Sequence, residues 1–150
     1  MLLRMAGLCA GSEQCGADIR AKILKAGFSE CEADRMLEYL TANGYVDDSR
    51  FAGAYASDKV RFAGWGRIKI RMALRAKGIQ ESIVGRALER IDEKDYAEAL
   101  LKATAAKARA LDLTDVKDRQ RLYRHLASRG FESGMIVSSI RKYMADNTRS

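Results

Sequence analysis

Apolar residues recur along this chain in one pattern that appears three times, about fifty residues apart. In each copy, apolar residues lie eight and four positions before a glycine, and one, six and ten positions after it. The glycines are Gly27, Gly78 and Gly130, with spacings of 51 and 52 residues (78 − 27 and 130 − 78). These offsets place apolar side chains on one face of a helix before each glycine and of another helix after it. The pattern therefore predicts a tandem array.

Matching sets of apolar residues around the three glycines carry the repeat. The residues before the glycines are Ile19 and Ile23, Ile70 and Leu74, and Leu122 and Leu126. The residues after them are Phe28, Ala33 and Leu37, then Ile79, Val84 and Leu88, then Phe131, Ile136 and Ile140. Each unit is interpreted as three helices, and the glycine bend between its second and third helices is typical of a helix-turn-helix.

The predicted fold class is all-α, with three tandem three-helix (helix-turn-helix-like) repeats in an elongated, curved array. The repeats are expected at residues 1–44, 45–91 and 92–150 of one continuous array, and the first helix of repeat one is short or truncated. Stacked units bury faces that no single unit buries alone. Because proline is absent and no segment alternates apolar and polar residues, we expect no sheet. Residues 146–150 are expected to form a frayed tail.

Several helix ends are marked by local signals. Ser29 and Glu32 have the S-x-x-E spacing of a capping box. Asp47, Asp48 and Ser49 can each cap the helix that follows, and capping explains the two aspartates more simply than a metal-binding carboxylate pair does. Trp65, flanked by glycines, is expected at the end of that helix. Its indole can stack on a base or a partner loop, or it can fill the junction between helices, and the sequence leaves both open.

The composition is that of a folded chain, with 47% apolar and 31% charged residues in 150. No apolar run approaches the roughly 20 residues that a membrane-spanning helix needs. Cys9, Cys15, Cys31 and the lone His125 lack the ligand spacing of a zinc site, so we expect free thiols in a reducing compartment. We therefore predict a cytoplasmic protein without metal or cofactor.

The sequence offers no recognisable catalytic constellation. It contains no G-x-x-x-x-G-K-[ST] loop, no H-E-x-x-H motif and no Cys/His/Asp set around the single histidine. We therefore do not interpret the chain as an enzyme. The tyrosines that fall at core-facing spacings are assigned to the core, and they are Tyr39, Tyr55, Tyr96 and Tyr143.

The charge distribution is more informative. The formal net charge is +7, which favours polyanionic or acidic partners. The stretch from Lys59 to Gln80 contains no acidic residue, and like charges four apart on its helix repel one another. The alternative is a solvated face on which arginine stems cover apolar neighbours. The candidate binding residues are Arg67, Lys69, Arg71, Arg75 and Lys77, followed by Arg121 and Arg124 of the third repeat.

Three segments carry a specific resemblance: GYVDDSRFA at 44–52, GWGRIKIR at 64–71 and LRAKGI at 74–79. Together they closely resemble the RecX family, the bacterial regulatory proteins of the RecA recombinase. The three-unit organisation, with the RGF triplet at 129–131, extends the resemblance over almost the whole chain. Family members usually carry more residues ahead of the first helix, which is expected here almost at Met1.

The resemblance implies a curved basic surface that lies along the groove of the RecA–DNA filament. Family members typically limit filament extension, strand exchange, ATP hydrolysis and coprotease activity of RecA, which places them in DNA repair, homologous recombination and the SOS response. The partners implied are the RecA nucleoprotein filament and single- or double-stranded DNA, bound weakly and without sequence specificity. We expect a monomer with no membrane partner.

Two other functions remain open from the residues. One is a tandem helix-turn-helix protein that reads a DNA sequence, although recognition helices usually offer Asn, Gln or Ser beside Arg to contact base edges. The predicted second helices are nearly all Lys, Arg and aliphatic residues. The other is a scaffold that binds an acidic protein and no nucleic acid. A footprint on one defined sequence would favour the first, and failure to bind any DNA would favour the second.

Overall fold

The computed structural model describes residues 1–148. Within that range the chain forms nine α-helices and one π-helical turn, and no strand. The helices are α1 (Leu2–Gly11), α2 (Gly16–Lys25), α3 (Glu30–Ala42), α4 (Asp48–Asp58), α5 (Arg67–Ala76), α6 (Glu81–Glu89), α7 (Glu93–Ala108), α8 (Val116–Ser128) and α9 (Ser133–Thr148). Helix α9 includes residues 146–148 of the expected frayed tail, and residues 149–150 lie outside the described part.

The three predicted helix–glycine–helix bends are confirmed. Helices α2, α5 and α8 are followed by Gly27, Gly78 and Gly130, whose φ angles are 102°, 81° and 95°. Side chains are strained at positive φ, so glycine lets the chain leave the helix there. The six apolar residues that precede these glycines by eight and four positions are all fully buried.

Side chains cap several helices as the sequence indicates. The Ser29 hydroxyl accepts a hydrogen bond from the Glu32 backbone N–H at 3.1 Å. The Glu32 carboxylate accepts a hydrogen bond from the Ser29 hydroxyl at 3.2 Å, whereas a full capping box would have it accept from the Ser29 backbone N–H. Only one half of the expected capping box is therefore formed.

The paired aspartates cap two different helices. Asp47 Oδ1 accepts from the Arg50 backbone N–H at 3.1 Å, in the first turn of α4. Asp48 Oδ1 accepts from the Gly16 backbone N–H at 2.9 Å, at the start of α2. Capping of α4 was predicted, whereas the bond to α2 joins residues 32 positions apart and has no local signal.

The end of α4 departs from prediction. A π-helical turn, Lys59–Ala63, follows the α-helix before Gly64 adopts a left-handed conformation. Such a turn holds one extra residue and shifts the helical register. Val60 is buried in this turn and Phe62 is exposed.

The chain divides into two compact units, and α4 and α5 contribute residues to both. Unit one consists of Met1–Tyr55 and Ala73–Glu89, and unit two of Ala56–Met72 and Arg90–Ser150. The boundaries of the three sequence repeats stay predictions. The apolar cluster of unit one is built from Met5, Ile19, Ile23, Ala33, Leu40 and Val46.

Unit two has its own core between α7, α8 and α9. Its largest fully buried side chains there are Tyr96, Leu122, Leu126, Phe131 and Ile136. Tyr96 and Phe131 contact each other, with ring centroids 5.6 Å apart. The core is therefore made of the residues that the repeat pattern selects.

A few predicted core positions are less buried than the pattern implies. Phe28, Leu37 and Tyr143 are half-buried. The assignment of Tyr39 to the core was wrong, because its side chain is exposed on α3. Leu40, the next residue, is fully buried.

Candidate functional site

The start of the basic helix α5 is held by backbone contacts within unit two. The Gly66 N–H donates to the Arg129 carbonyl at 2.7 Å, and the Ile68 N–H donates to the Gly130 carbonyl at 3.0 Å. First-turn N–H groups have no partner inside their own helix, so these bonds cap α5. A Cβ atom at Gly66 would collide with the backbone of Gly130 and Phe131. The contact therefore requires glycine.

Arg67, the first residue of α5, lies in a network of polar side chains. Its guanidinium donates to Glu132 at 3.0 Å and to Glu93 at 3.2 Å, and lies 3.9 Å from the centroid of the Tyr96 ring. Its backbone N–H donates to the Tyr96 hydroxyl at 3.0 Å, and that hydroxyl donates to Glu132. Burial and the bond to Glu132 raise the pKa of Tyr96. The network ties the start of α5 to α7 and to the residue that precedes α9.

Arg67 was predicted to belong to the binding surface, but its side chain is only 21% exposed and already has two carboxylate partners. Glu93 and Glu132 lie 26 and 65 positions away in the sequence, so no local pattern pointed to them. Tyr96 was assigned to the core alone, and its hydroxyl proves to be a hydrogen-bond partner of Arg67. These three partners are what the sequence interpretation missed.

The indole ring of Trp65 contacts two lysine side chains, Lys59 and Lys69. The Lys59 ammonium is 4.6 Å and the Lys69 ammonium 4.5 Å from the centroid of the indole ring. Ammonium groups at this distance are attracted to an aromatic ring. The half-buried indole therefore holds two ammonium groups near the start of α5. Whether Trp65 stacks on a partner or fills a helix junction stays a prediction.

Arg75, near the end of α5, and Lys77, just after it, have partners in unit one. Arg75 is half-exposed, donates to the Ile79 carbonyl at 2.8 Å and lies 3.8 Å from a Glu81 carboxylate oxygen. Lys77 donates to Asp18 at 3.3 Å. Both bonds leave part of each side chain accessible, but they reduce the charge available to a partner.

The exposed face of α5 in unit two mixes apolar and basic side chains. Ile70 and Leu74 are fully buried, which turns the positions around Arg71 outward. Ile68 is 49% exposed and Met72 is 69% exposed. These two lie four positions apart and share one face, next to the exposed Arg71.

Helix α8 carries the other two candidate residues. Arg121 is 62% exposed and donates to Asp118 at 3.3 Å, one turn earlier. Arg124 is exposed and makes no hydrogen bond or ion pair with any residue in 1–148. The helix is capped by Asp115, which accepts from the Lys117 N–H at 2.9 Å. Burial, and then two nearby cations, lower the pKa of His125 on the same helix.

Neither a metal centre nor a membrane span is found in the described part. No three His, Cys, Asp or Glu side chains of residues 1–148 come together as metal ligands would. No helix in that range combines the length and apolar character needed to cross a bilayer. Cys9, Cys15 and Cys31 are free thiols, and burial raises the pKa of the first two.

Comparison with known families decides the affiliation. Residues 47–88 match the family model described as RecX, second three-helix domain, and residues 93–138 match RecX, third three-helix domain. The chain belongs to the RecX family. Both matched RecX domains contain candidate arginines, on α5 and α8 respectively.

Individual RecX proteins match over most of their length. Regulatory protein RecX of Prosthecochloris aestuarii is 32% identical, over 93% of this chain and 90% of the relative. Regulatory protein RecX of Chlorobium phaeobacteroides is 34% identical, over 85% and 83%. That of Mycobacterium ulcerans is 34% identical, over 77% and 68%. The RecX family is thus one of regulatory proteins.

Two solved RecX structures share the fold. A crystal structure of regulatory protein RecX superposes with a TM-score of 0.83 at 24% identity, covering 94% of this chain and 70% of that one. The crystal structure of RecX from Lactobacillus salivarius gives a TM-score of 0.79 at 16% identity, covering 94% and 95%. The predicted all-α fold of tandem three-helix repeats is confirmed.

Proposed function

We propose that this RecX-family chain is a cytoplasmic, non-enzymatic regulator of RecA that binds the groove of the RecA–DNA filament. It inhibits filament extension, and with it ATP hydrolysis, strand exchange and coprotease activity of RecA. The observation that carries the proposal is family membership over both domains that hold the candidate arginines. In this role the protein acts in DNA repair, recombination and the SOS response.

The mechanism is steric and electrostatic. Arg71 and Arg75 on α5, and Arg121 and Arg124 on α8, are exposed in the folded chain. A guanidinium binds carboxylate or phosphate through two parallel hydrogen bonds, which suits contacts to acidic RecA residues and to exposed phosphate. Arg67 supports α5 from within and is not a contact residue. Lys69 and Lys77 add charge beside the contact, although each already touches a neighbour.

DNA-dependent ATP hydrolysis by the RecA protein of the same organism, on single-stranded DNA, tests the proposal. The chain is titrated from far below the RecA concentration. Inhibition at substoichiometric ratios supports a regulator that acts at growing filament ends. Inhibition only near saturation indicates coating of the filament.

Two outcomes would contradict the proposal. No inhibition at any ratio would reject regulation of RecA. Protection of one defined DNA sequence from nuclease in the absence of RecA would support the tandem helix-turn-helix alternative instead. A gel-filtration or light-scattering mass measured at the assay concentration tests the expected monomer.

A further inference from the structure

We infer that the exposed face of α5 in unit two, formed by Ile68, Arg71 and Met72, docks on protein and not on DNA. Its partner is a surface of RecA with an apolar pocket bordered by carboxylates. The inference rests on the proposed function and names which component of the RecA–DNA filament this face contacts.

The geometry presents two apolar side chains as one patch. Ile68 and Met72 are 49% and 69% exposed and lie one helical turn apart, so their side chains are neighbours on the surface. Neither is needed for the core, because Ile70 and Leu74 fill the buried face of the same helix. Adjacent exposed apolar side chains contribute favourable free energy when a partner covers them.

The patch is rigidly presented. The first-turn N–H groups of Gly66 and Ile68 bond to carbonyls of the α8–α9 turn, and Arg67 is fixed by Glu93 and Glu132. A helix held in this way loses little conformational entropy on binding. Preorganisation of this kind favours a docking surface over an incidental exposure.

The chemistry of the patch fits protein better than nucleic acid. Phosphate oxygens gain nothing from contact with isoleucine or methionine, and burying these side chains against a DNA backbone would strip water from phosphates without compensation. Interface cores between proteins are instead enriched in Met and Arg and depleted in Lys. Methionine in particular adapts its shape to a partner's pocket.

Charge complementarity indicates acidic residues around that pocket. No acidic residue occurs between Lys59 and Gln80, so every charged residue of this stretch of sequence is basic. Arg71, on the helix turn shared with Ile68 and Met72, is placed to pair with a carboxylate at the rim. The apolar centre supplies affinity and the arginine supplies orientation.

Helix α8 provides the contrast within unit two. Its exposed side chains before Ala127 are Val116 at the first position, followed by Lys117, Gln120, Arg121 and Arg124, so polar and basic groups dominate the face after that first residue. Such a face fits the phosphate backbone, to which lysine, arginine and glutamine commonly hydrogen-bond. The two helices therefore have different partners in one complex.

Two double variants separate these roles. Ile68→Gln/Met72→Gln removes the apolar patch with residues that favour helix, and Arg121→Ala/Arg124→Ala removes the α8 charges. Val116→Gln/Val137→Gln is the matched control, because both valines are exposed apolar residues of unit two outside α5. Binding is measured by fluorescence anisotropy to a labelled oligo(dT) alone, and to the same oligonucleotide coated with RecA and a slowly hydrolysed ATP analogue, at several salt concentrations.

The expected result is that Ile68→Gln/Met72→Gln binds the RecA-coated strand at least tenfold more weakly and binds the bare strand as the unaltered chain does. Arg121→Ala/Arg124→Ala should weaken binding to the bare strand and reduce its salt dependence by a slope of about 1.4 for two lost phosphate contacts on single strands. The valine control should match the unaltered chain on both probes. Circular dichroism melts of all variants should coincide, since every changed side chain is exposed.

Each other outcome overturns the inference. Unchanged binding of Ile68→Gln/Met72→Gln to the RecA-coated strand rejects the docking patch while leaving regulation of RecA in place. An equal loss on the bare strand shows that the face contacts DNA. Failure of the unaltered chain to bind or inhibit RecA rejects the proposed function, and the inference with it.

Discussion

Helices α5 and α8 occupy equivalent places in successive repeats and bury apolar residues at the same spacing. Each buries two aliphatic residues four apart, and each ends before a glycine with positive φ. Both are rich in arginine. They differ in how they begin, because α8 is capped by its own Asp115, whereas carbonyls of the α8–α9 turn cap α5.

That difference separates two kinds of basic residue that look identical in sequence. Arg67, the first residue of α5, donates hydrogen bonds to two carboxylates of unit two, whereas Arg124 on α8 has no such partner among residues 1–148. Where a helix begins on tertiary contacts, its first arginine becomes part of the fold. On α8, Arg124 is exposed without such a partner in the described range, whereas Arg121 pairs with Asp118 and Arg119 donates to the Leu113 carbonyl.

Reversing the outward arginines of α5 should have the largest effect. Arg71→Glu/Arg75→Glu should abolish inhibition of RecA ATP hydrolysis while leaving helicity intact. Two charge-assisted contacts are worth about 1.5–3 kcal/mol each, so binding should weaken at least 100-fold. The assay is the ATPase titration, with circular dichroism to verify folding.

A matched reversal controls for net charge. Arg86→Glu/Arg90→Glu changes the charge by the same amount at two exposed positions outside α5, and should inhibit normally. Because Arg75 bonds to the Ile79 carbonyl, the single variant Arg71→Glu should retain most of the effect without disturbing that bond. Full inhibition by the double variant would refute the assignment of α5.

The glycine contact beneath α5 should be the strongest determinant of stability. Gly66→Ala places a methyl group against the Gly130 and Phe131 backbone, and should lower the free energy of unfolding by about 3 kcal/mol. Gly134→Ala on α9 meets no atom within 4 Å and should stabilise by up to about 1 kcal/mol. Urea denaturation of both variants measures the difference, and equal stabilities would contradict the tight contact.

Replacing one arginine on each helix tests the contrast directly. Arg67→Met removes one of the two donors to the Glu132 carboxylate, which keeps the Tyr96 hydroxyl, and should destabilise the chain by about 2 kcal/mol, a typical value for hydrogen bonds to charged groups. Arg124→Met, the same change at an exposed site, should alter stability by less than about 0.5 kcal/mol. Thermal melts compare the two. Equal melting temperatures would mean that the Arg67 network contributes nothing.

The smallest effect concerns pH and α8. Burial lowers the pKa of His125 below the ordinary 6.5, so the unfolded chain binds the proton more tightly than the folded one. Stability should therefore fall as pH drops through 6.5 toward the lower folded pKa. His125→Gln should show a smaller loss between pH 7.5 and 5.5, measured by urea midpoints. An identical pH dependence in both proteins would show that His125 is uninvolved.

The repeat pattern predicted the helices and their buried faces with few errors. Helix formation and the choice of face depend on neighbours three and four positions apart, which the sequence displays directly. The helix ends at glycine were predictable for the same reason, because a glycine after a helix is a local termination signal. Two local details were not predicted correctly: a π-helical turn follows α4, and Tyr39, which was assigned to the core, is exposed.

The candidate site was only partly predictable. Its basic residue types and their helices were visible, but the partners of Arg67 and Lys77 lie up to 65 and 59 positions away. Nothing nearby in sequence distinguishes Arg67 from Arg71. The exposure of Ile68 and Met72 was equally hidden, because an aliphatic residue in a helix is ordinarily assigned to a core.

Three features follow from the amino-acid sequence alone: the helix–glycine–helix units, the residues of their cores and the concentration of positive charge on α5 and α8. These depend on short-range periodicity and on side-chain type, both of which are properties of the chain before it folds. Which charges remain available to a partner is set by tertiary contacts. Availability depends on the carboxylates and carbonyls that folding brings within hydrogen-bond distance, and those come from distant parts of the chain.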